Sequence, residues 1–343
     1  MNEEYEESER LRALPKAELH LHIEGTLEAD LAYALAAQNA VDLPFSGVSD
    51  LASHYIFSNL QEFLDLYYTV ISVLRTKDDF ADLGRAYLTR AASQGVRHAE
   101  IFFDPQAHLS RGVELDAVLG GLQAAMEEAD SRYGLSSGLI LCFLRDQPVR
   151  DALDVLDLVL SSHSGSIIGV GLDSAEVGHP PREFRQVFEQ ARAAGLRLCA
   201  HAGEEGPPRY IWEALDELGV ERIDHGIRAV DDPALVRRLA DDGTTLTVCP
   251  LSNVRLKACQ SLEQHPIMTL FDHGVHVTIN SDDPAYFGGY IATNYAAVST
   301  ALKVTEAQLS EIARNSVAGS WAPQARKDAI LAQVEEWDSA VGR

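Results

Sequence analysis

A chain of 343 residues, 46% hydrophobic and 23% charged, can bury the core of one large α/β domain or of two ordinary ones. Its net charge of −24 argues against a nucleic-acid or anionic-membrane partner, because both are held by an excess of Lys and Arg. No apolar run of about 18 residues is present to cross a bilayer, and the acidic start MNEEYEESERLR is unlike a basic-then-apolar secretory signal, so a cytoplasmic location is expected, with the four cysteines reduced.

In chain order, residues 1–13 are polar and are expected to form a flexible arm. ELHLHIE (18–24) reads as the first strand. Alternation along a strand would put His20 and His22 on one face, about 7 Å apart, which suggests a metal. Residues 27–96 are longer than one crossover helix and include SHYIFSNLQEFLDLYYTV, an aromatic-rich helical stretch. Seven further short apolar runs follow: RHAEIFF (97–103), GLILCFL (138–144), IIGVGLD (167–173), RLCAHAG (197–203), RIDHG (222–226), TLTVCP (245–250) and HVTINSDD (276–283). Amphipathic segments such as EFRQVFEQARAAG and ALVRRLADDG separate them, several closed by a glycine suited to a helix C-terminus.

Eight βα units with no Pro/Gly/Ser linker imply a single (β/α)8 TIM barrel over residues 1–343, with a long helical insertion after its first strand. His20 and His22 then end the first strand, His201 and Glu204 the fifth, His225 the sixth, and Asp282 with Asp283 the eighth. Strand C-termini converge on the catalytic mouth of such a barrel. Three histidines and a carboxylate suit Zn²⁺ with a position left for water, Glu204 is close enough in sequence to a ligand to act as an acid, His225 can take or steer a proton of the water, and Asp283 can hold a substrate.

The segments LPKAELHLHIEGTLE, HAGEEG, RIDHGI, CPLSN and NSDDPAYFG, in this order and covering the chain from Leu14 onward, resemble the adenosine/adenine deaminase family of metal-dependent amidohydrolase barrels. The resemblance implies His20, His22, His201 and Asp282 as ligands of one zinc ion and Glu204 as proton donor to purine N1. It further implies that His225 orients or deprotonates the attacking water and that Asp283 meets N7. The implied chemistry is hydrolytic deamination in purine salvage. Nucleoside-specific members typically carry Asp where this chain has Glu24, and a Gly at or near the position of Glu176 in DSAEVGHPP. Both departures add bulk and charge where a sugar would lie, so the chain resembles the branch acting on free adenine, with adenosine or an N6-modified adenine as alternatives. The competing reading of Glu24 and Glu176 is a structural carboxylate bonded to nearby backbone N–H groups. Leu60 and Phe63 fall in a family segment that covers the purine. His98, His108, His163, His179, His265, His273 and His276 have no converging partner and are read as structural. A small-molecule purine is the expected partner, and an oligomer is compatible with the sequence. A bridging Lys of a two-metal hydrolase is not expected, because no Lys falls inside a predicted strand, and the H-x-E with P-C-x-x-C pattern of the other deaminase class is absent.

Overall fold

A computed structural model describes residues 7–162 and 167–340, which leaves His163 outside the described part. Eight strands, β1 (Lys16–Glu18), β2 (Val96–Phe103), β3 (Ser136–Leu144), β4 (Ile167–Asp173), β5 (Arg197–Ala202), β6 (Arg222–His225), β7 (Thr245–Val248) and β8 (His276–Ile279), lie side by side in sequence order. Every neighbouring pair is parallel. This is the expected TIM barrel, its strands largely buried and rich in apolar residues, with charged side chains such as Glu100, Arg222 and Asp224 buried among them.

The seam between the first and last strands is closed at the barrel mouth. The Asp282 N–H donates to His20 O (3.2 Å), and the His22 N–H donates to Asp282 O (3.0 Å). Here the first strand departs from expectation. β1 ends at Glu18, the Leu19 N–H turns to the Asn280 side chain (2.9 Å), and only isolated pairings of Leu21 with Asp282 and His22 with Phe102 follow. His20 and His22 therefore stand beyond the strand, their ring centroids 5.7 Å apart. Because the strand starts earlier than expected, it contains a lysine after all. Lys16 is buried at the end away from the mouth and donates to Gln94 O (2.7 Å).

Of the arm expected over residues 1–13, residues 1–6 lie outside the described part and Glu9–Ala13 form a helix capped by the Ser8 side chain, with Leu11 buried. Four α-helices, Ala29–Asn39, Val48–Ser53, Leu60–Val70 and Lys77–Ser93, lie between β1 and β2. Asn59 caps the third of them by accepting from the Glu62 N–H (3.0 Å). Phe63, Leu64, Tyr67 and Val70 make its buried stripe at helical spacing. Phe63 packs on Tyr286 and Phe287 (ring centroids 5.5 and 4.7 Å), so the helix is pinned across the mouth to the segment that follows β8. Among the described residues no helix is long and apolar enough to cross a membrane.

Candidate active site

Three residues at or just past strand ends, Ser174 (φ 69°), His225 (63°) and Asp282 (62°), adopt the left-handed conformation that non-glycine residues avoid. Such strain persists only where surrounding structure imposes it, and it gathers at functional sites. All three line a cavity between the barrel mouth and the helix Leu60–Val70, at the face where the functional sites of such barrels lie.

At its floor, one side-chain atom from each of His20, His22, His201 and Asp282 falls within 4.8 Å of all the others, and all four residues are buried. Acceptors face the outer nitrogens of the three rings, and that of His20 is hydrogen-bonded. His20 Nδ1 meets Thr247 O and Oγ1 (3.1 and 3.0 Å), His22 Nδ1 faces Asp173 Oδ2, and His201 Nδ1 faces Asp224 Oδ2, each at 3.6 Å. Protons placed there leave the Nε2 lone pairs turned inward. His22 and His201 then point two lone pairs at each other across 3.2 Å, and His20 Nε2 is buried without a hydrogen-bond partner. Such an arrangement is unfavourable without a cation and matches the N/O donor set of a divalent ion such as zinc.

Beside this cluster, Glu204 Oε1 accepts from the Asn253 amide (3.2 Å) and Glu204 Oε2 lies 3.4 Å from His225 Nε2. Burial, followed by the carboxylates of Asp282, Glu205 and Glu176, pushes the Glu204 carboxyl well above the ordinary range, which favours its acid form. Burial likewise holds His225 well below the ordinary imidazole value, so it is neutral. Asp283 lines the same cavity. Gly25 must be a glycine against it, because a Cβ there would fall 1.9 Å from Asp283 Oδ1. Leu60 and Phe63 line the cavity on the side of the covering helix, with Leu64, Tyr67 and Tyr68.

The two carboxylates expected to narrow the pocket behave differently. Glu176 does not line the cavity. Its Oε1 accepts from the Gly203 N–H (2.5 Å) and its Oε2 from the N–H groups of Glu204, Glu205 and Gly206 (3.0, 2.9 and 2.8 Å), so it clamps the loop that carries Glu204. Glu24 also lies outside the cavity lining. Its Oε1 accepts from the Asp104 N–H (3.1 Å) and from His108 Nε2 (2.7 Å), while its Oε2 is buried and unpartnered. Arg111 donates to His108 Nδ1 (2.7 Å), which leaves the ring N–H on Nε2 as the donor to Glu24.

Sequence reasoning missed Asp104, Asp173, Ser174 and Tyr68 in the cavity wall and Asn253 behind Glu204. Asp104 and Asp173 lie against each other, and each keeps one buried oxygen without a partner. Burial and the neighbouring carboxylates push Asp104 well up and Asp173 to about 7. The usable signal was positional, since Asp173 ends β4 and Asp104 directly follows β2, the same rule that located the other site residues.

The adenosine deaminase family model matches residues 15–337. The chain is 58% identical to an adenine deaminase of Streptomyces coelicolor over 311 residues, 91% of each protein. The crystal structure of an adenine deaminase from Arthrobacter aurescens superposes with a TM-score of 0.94 at 51% identity, covering 96% of this chain and all of that one. An amidohydrolase from Burkholderia ambifaria, solved with bound zinc, superposes with a TM-score of 0.89 at 29% identity over 96% of this chain and 92% of its own.

Proposed function

Since the chain belongs to the adenosine deaminase family, we propose that it is a zinc-dependent hydrolase converting free adenine to hypoxanthine and ammonia, as part of purine salvage. The observation that carries this reading is the inward-facing set of His20, His22, His201 and Asp282 with the buried acid Glu204 alongside. These four residues would hold the ion, which when bound supplies the Lewis acidity that makes water a nucleophile near neutral pH.

The protein's own groups do the rest. Glu204, kept in its acid form by burial, gives its proton to N1 and so draws electron density from C6, the carbon that must accept water. His225 stands beside Glu204 and Asp282, where it contacts the attacking water. Asp283 holds N7, and Leu60, Phe63, Leu64 and Tyr67 cover the ring and exclude bulk water.

Free adenine rather than adenosine is favoured by the similarity to adenine deaminases and by the wall of the cavity. Asp104 and Asp173 offer buried acceptor oxygens that lack partners. Adenine carries a ring N–H that can complete such an acceptor, whereas the nucleoside has a sugar at that nitrogen, and burying unsatisfied carboxyl oxygens against it costs several kcal/mol by about the scale of polar burial. Steady-state kinetics of one zinc-loaded preparation on adenine, adenosine and N6-methyladenine test the reading. A kcat/KM for adenine about 10³-fold above that for adenosine is expected, and comparable values for the two would refute it.

A further inference from the structure

Behind His225 runs a line of hydrogen bonds whose direction is set at its far end by the backbone. The Ile267 N–H donates to His265 Nδ1 (3.2 Å), and a main-chain N–H has no choice of role. Burial pushes His265 down to about 4, so at neutral pH the ring carries one proton, and that proton sits on Nε2. His265 Nε2 therefore donates to Asn253 Oδ1 (3.2 Å), which fixes the orientation of the amide. Both hydrogens of the Asn253 NH2 are then committed, one to Glu204 Oε1 and the other to His225 Nδ1, each at 3.2 Å. All four links are buried and their donors and acceptors are matched.

We infer that His265 and Asn253 are positioning residues that lock the proton of His225 on Nε2, so that His225 faces the reacting centre as a hydrogen-bond donor and not as a base. Its Nε2 lies 3.4 Å from Glu204 Oε2 and 3.8 Å from Asp282 Oδ2, the two acceptors that flank the position of the attacking oxygen. A donor there orients that oxygen and stabilises negative charge as it develops. The same amide also holds the Glu204 carboxyl, so a single side chain sets the register of both groups. The hydrogen-bond line stands on its own geometry, while its catalytic meaning rests on the deaminase reading above.

The test is ¹⁵N NMR of the zinc-loaded full-length enzyme labelled at histidine, where the shifts of the two ring nitrogens report the tautomer directly. The His225 signals are identified by their loss in His225→Asn. In the unmodified enzyme His225 is expected as the Nε2–H tautomer, and in Asn253→Asp, which can only accept, as the Nδ1–H tautomer. That variant should lose about 10²-fold or more in kcat on adenine with a smaller change in KM, while His265→Leu, which frees the amide to rotate, should lose about 10-fold. An Nδ1–H tautomer in the unmodified enzyme overturns the inference even if both variants fail to fold. So does an unchanged tautomer in folded His265→Leu and Asn253→Asp. Absence of turnover on adenine with the expected tautomer in place would instead overturn the proposed activity and leave the hydrogen-bond line standing.

Discussion

Replacing Glu176 with Gln separates a loop clamp from a specificity group. Four N–H groups, three of them buried, converge on this carboxylate, three on Oε2 and one on Oε1. An amide must present its NH2 to one side. The cheaper orientation faces Gly203, leaving one buried donor against another at about 1–3 kcal/mol, and the three remaining bonds lose the charge assistance that roughly doubles their strength. A total of about 4–6 kcal/mol follows, or a fall of about 6–8 °C in Tm for a chain of 343 residues. The loop bears Glu204, and a misplacement of about 1 Å at a reacting group can cost on the order of 10²-fold in rate. Glu176→Gln should therefore lower both Tm and kcat on adenine by 10-fold or more on that scale, while the ratio of adenine to adenosine turnover stays put. Calorimetry and parallel kinetics on the two substrates measure all three. A wild-type melting temperature, or a variant that gains adenosine turnover while losing adenine turnover, would refute the clamp.

Glu204→Gln keeps the hydrogen bond from Asn253 but has no proton to give, so kcat should fall by about 10²–10⁴-fold with zinc content unchanged by elemental analysis. Asp282→Ala and His20→Ala should lose bound zinc and activity together, and excess zinc should raise the Tm of the unmodified protein but not of these variants. Burial first, and Arg97 second, push Lys16 down to about 7, so between pH 7 and its ordinary value of 10.5 the folded chain binds fewer protons here than the unfolded chain. Stability from this site thus rises with pH across that window and is lost as pH falls toward 7, and Lys16→Met should flatten that part of a Tm-against-pH curve.

The barrel and the four clustered residues were legible because each sits in a short local pattern, an apolar run ending in His or Asp, and the topology of parallel βα units brings such ends together without further information. The roles of carboxylates were less legible, since a glutamate's partners depend on which loop folds over it. Glu176 meets Gly203 to Gly206 only because the loop after β5 wraps back onto the loop after β4. Asp104 precedes a proline and reads as an ordinary turn residue, and its exposure to the cavity follows from Glu24 holding its backbone N–H. His108 and His265, read as structural, prove to be partners of Glu24 and Asn253, links that no periodicity announces. The end of the first strand was misplaced because HLHIE alternates like a strand while its backbone is already bending to join Asp282.

That join has a consequence for how the molecule is made. His20 and Asp282 stand near opposite ends of the chain, so as the polypeptide emerges from the ribosome the first two histidines wait, with the edge of β1 unsatisfied, until the eighth strand arrives. Contacts of such long sequence separation are entropically expensive and form late. A partly folded species can hold most of its strands and helices in place and still lack the assembled cluster of His20, His22, His201 and Asp282. Turnover is thus a gauge of completed ring closure, and zinc supplied during refolding should act at the final step, drawing open-seamed intermediates into the closed barrel instead of speeding their initial collapse.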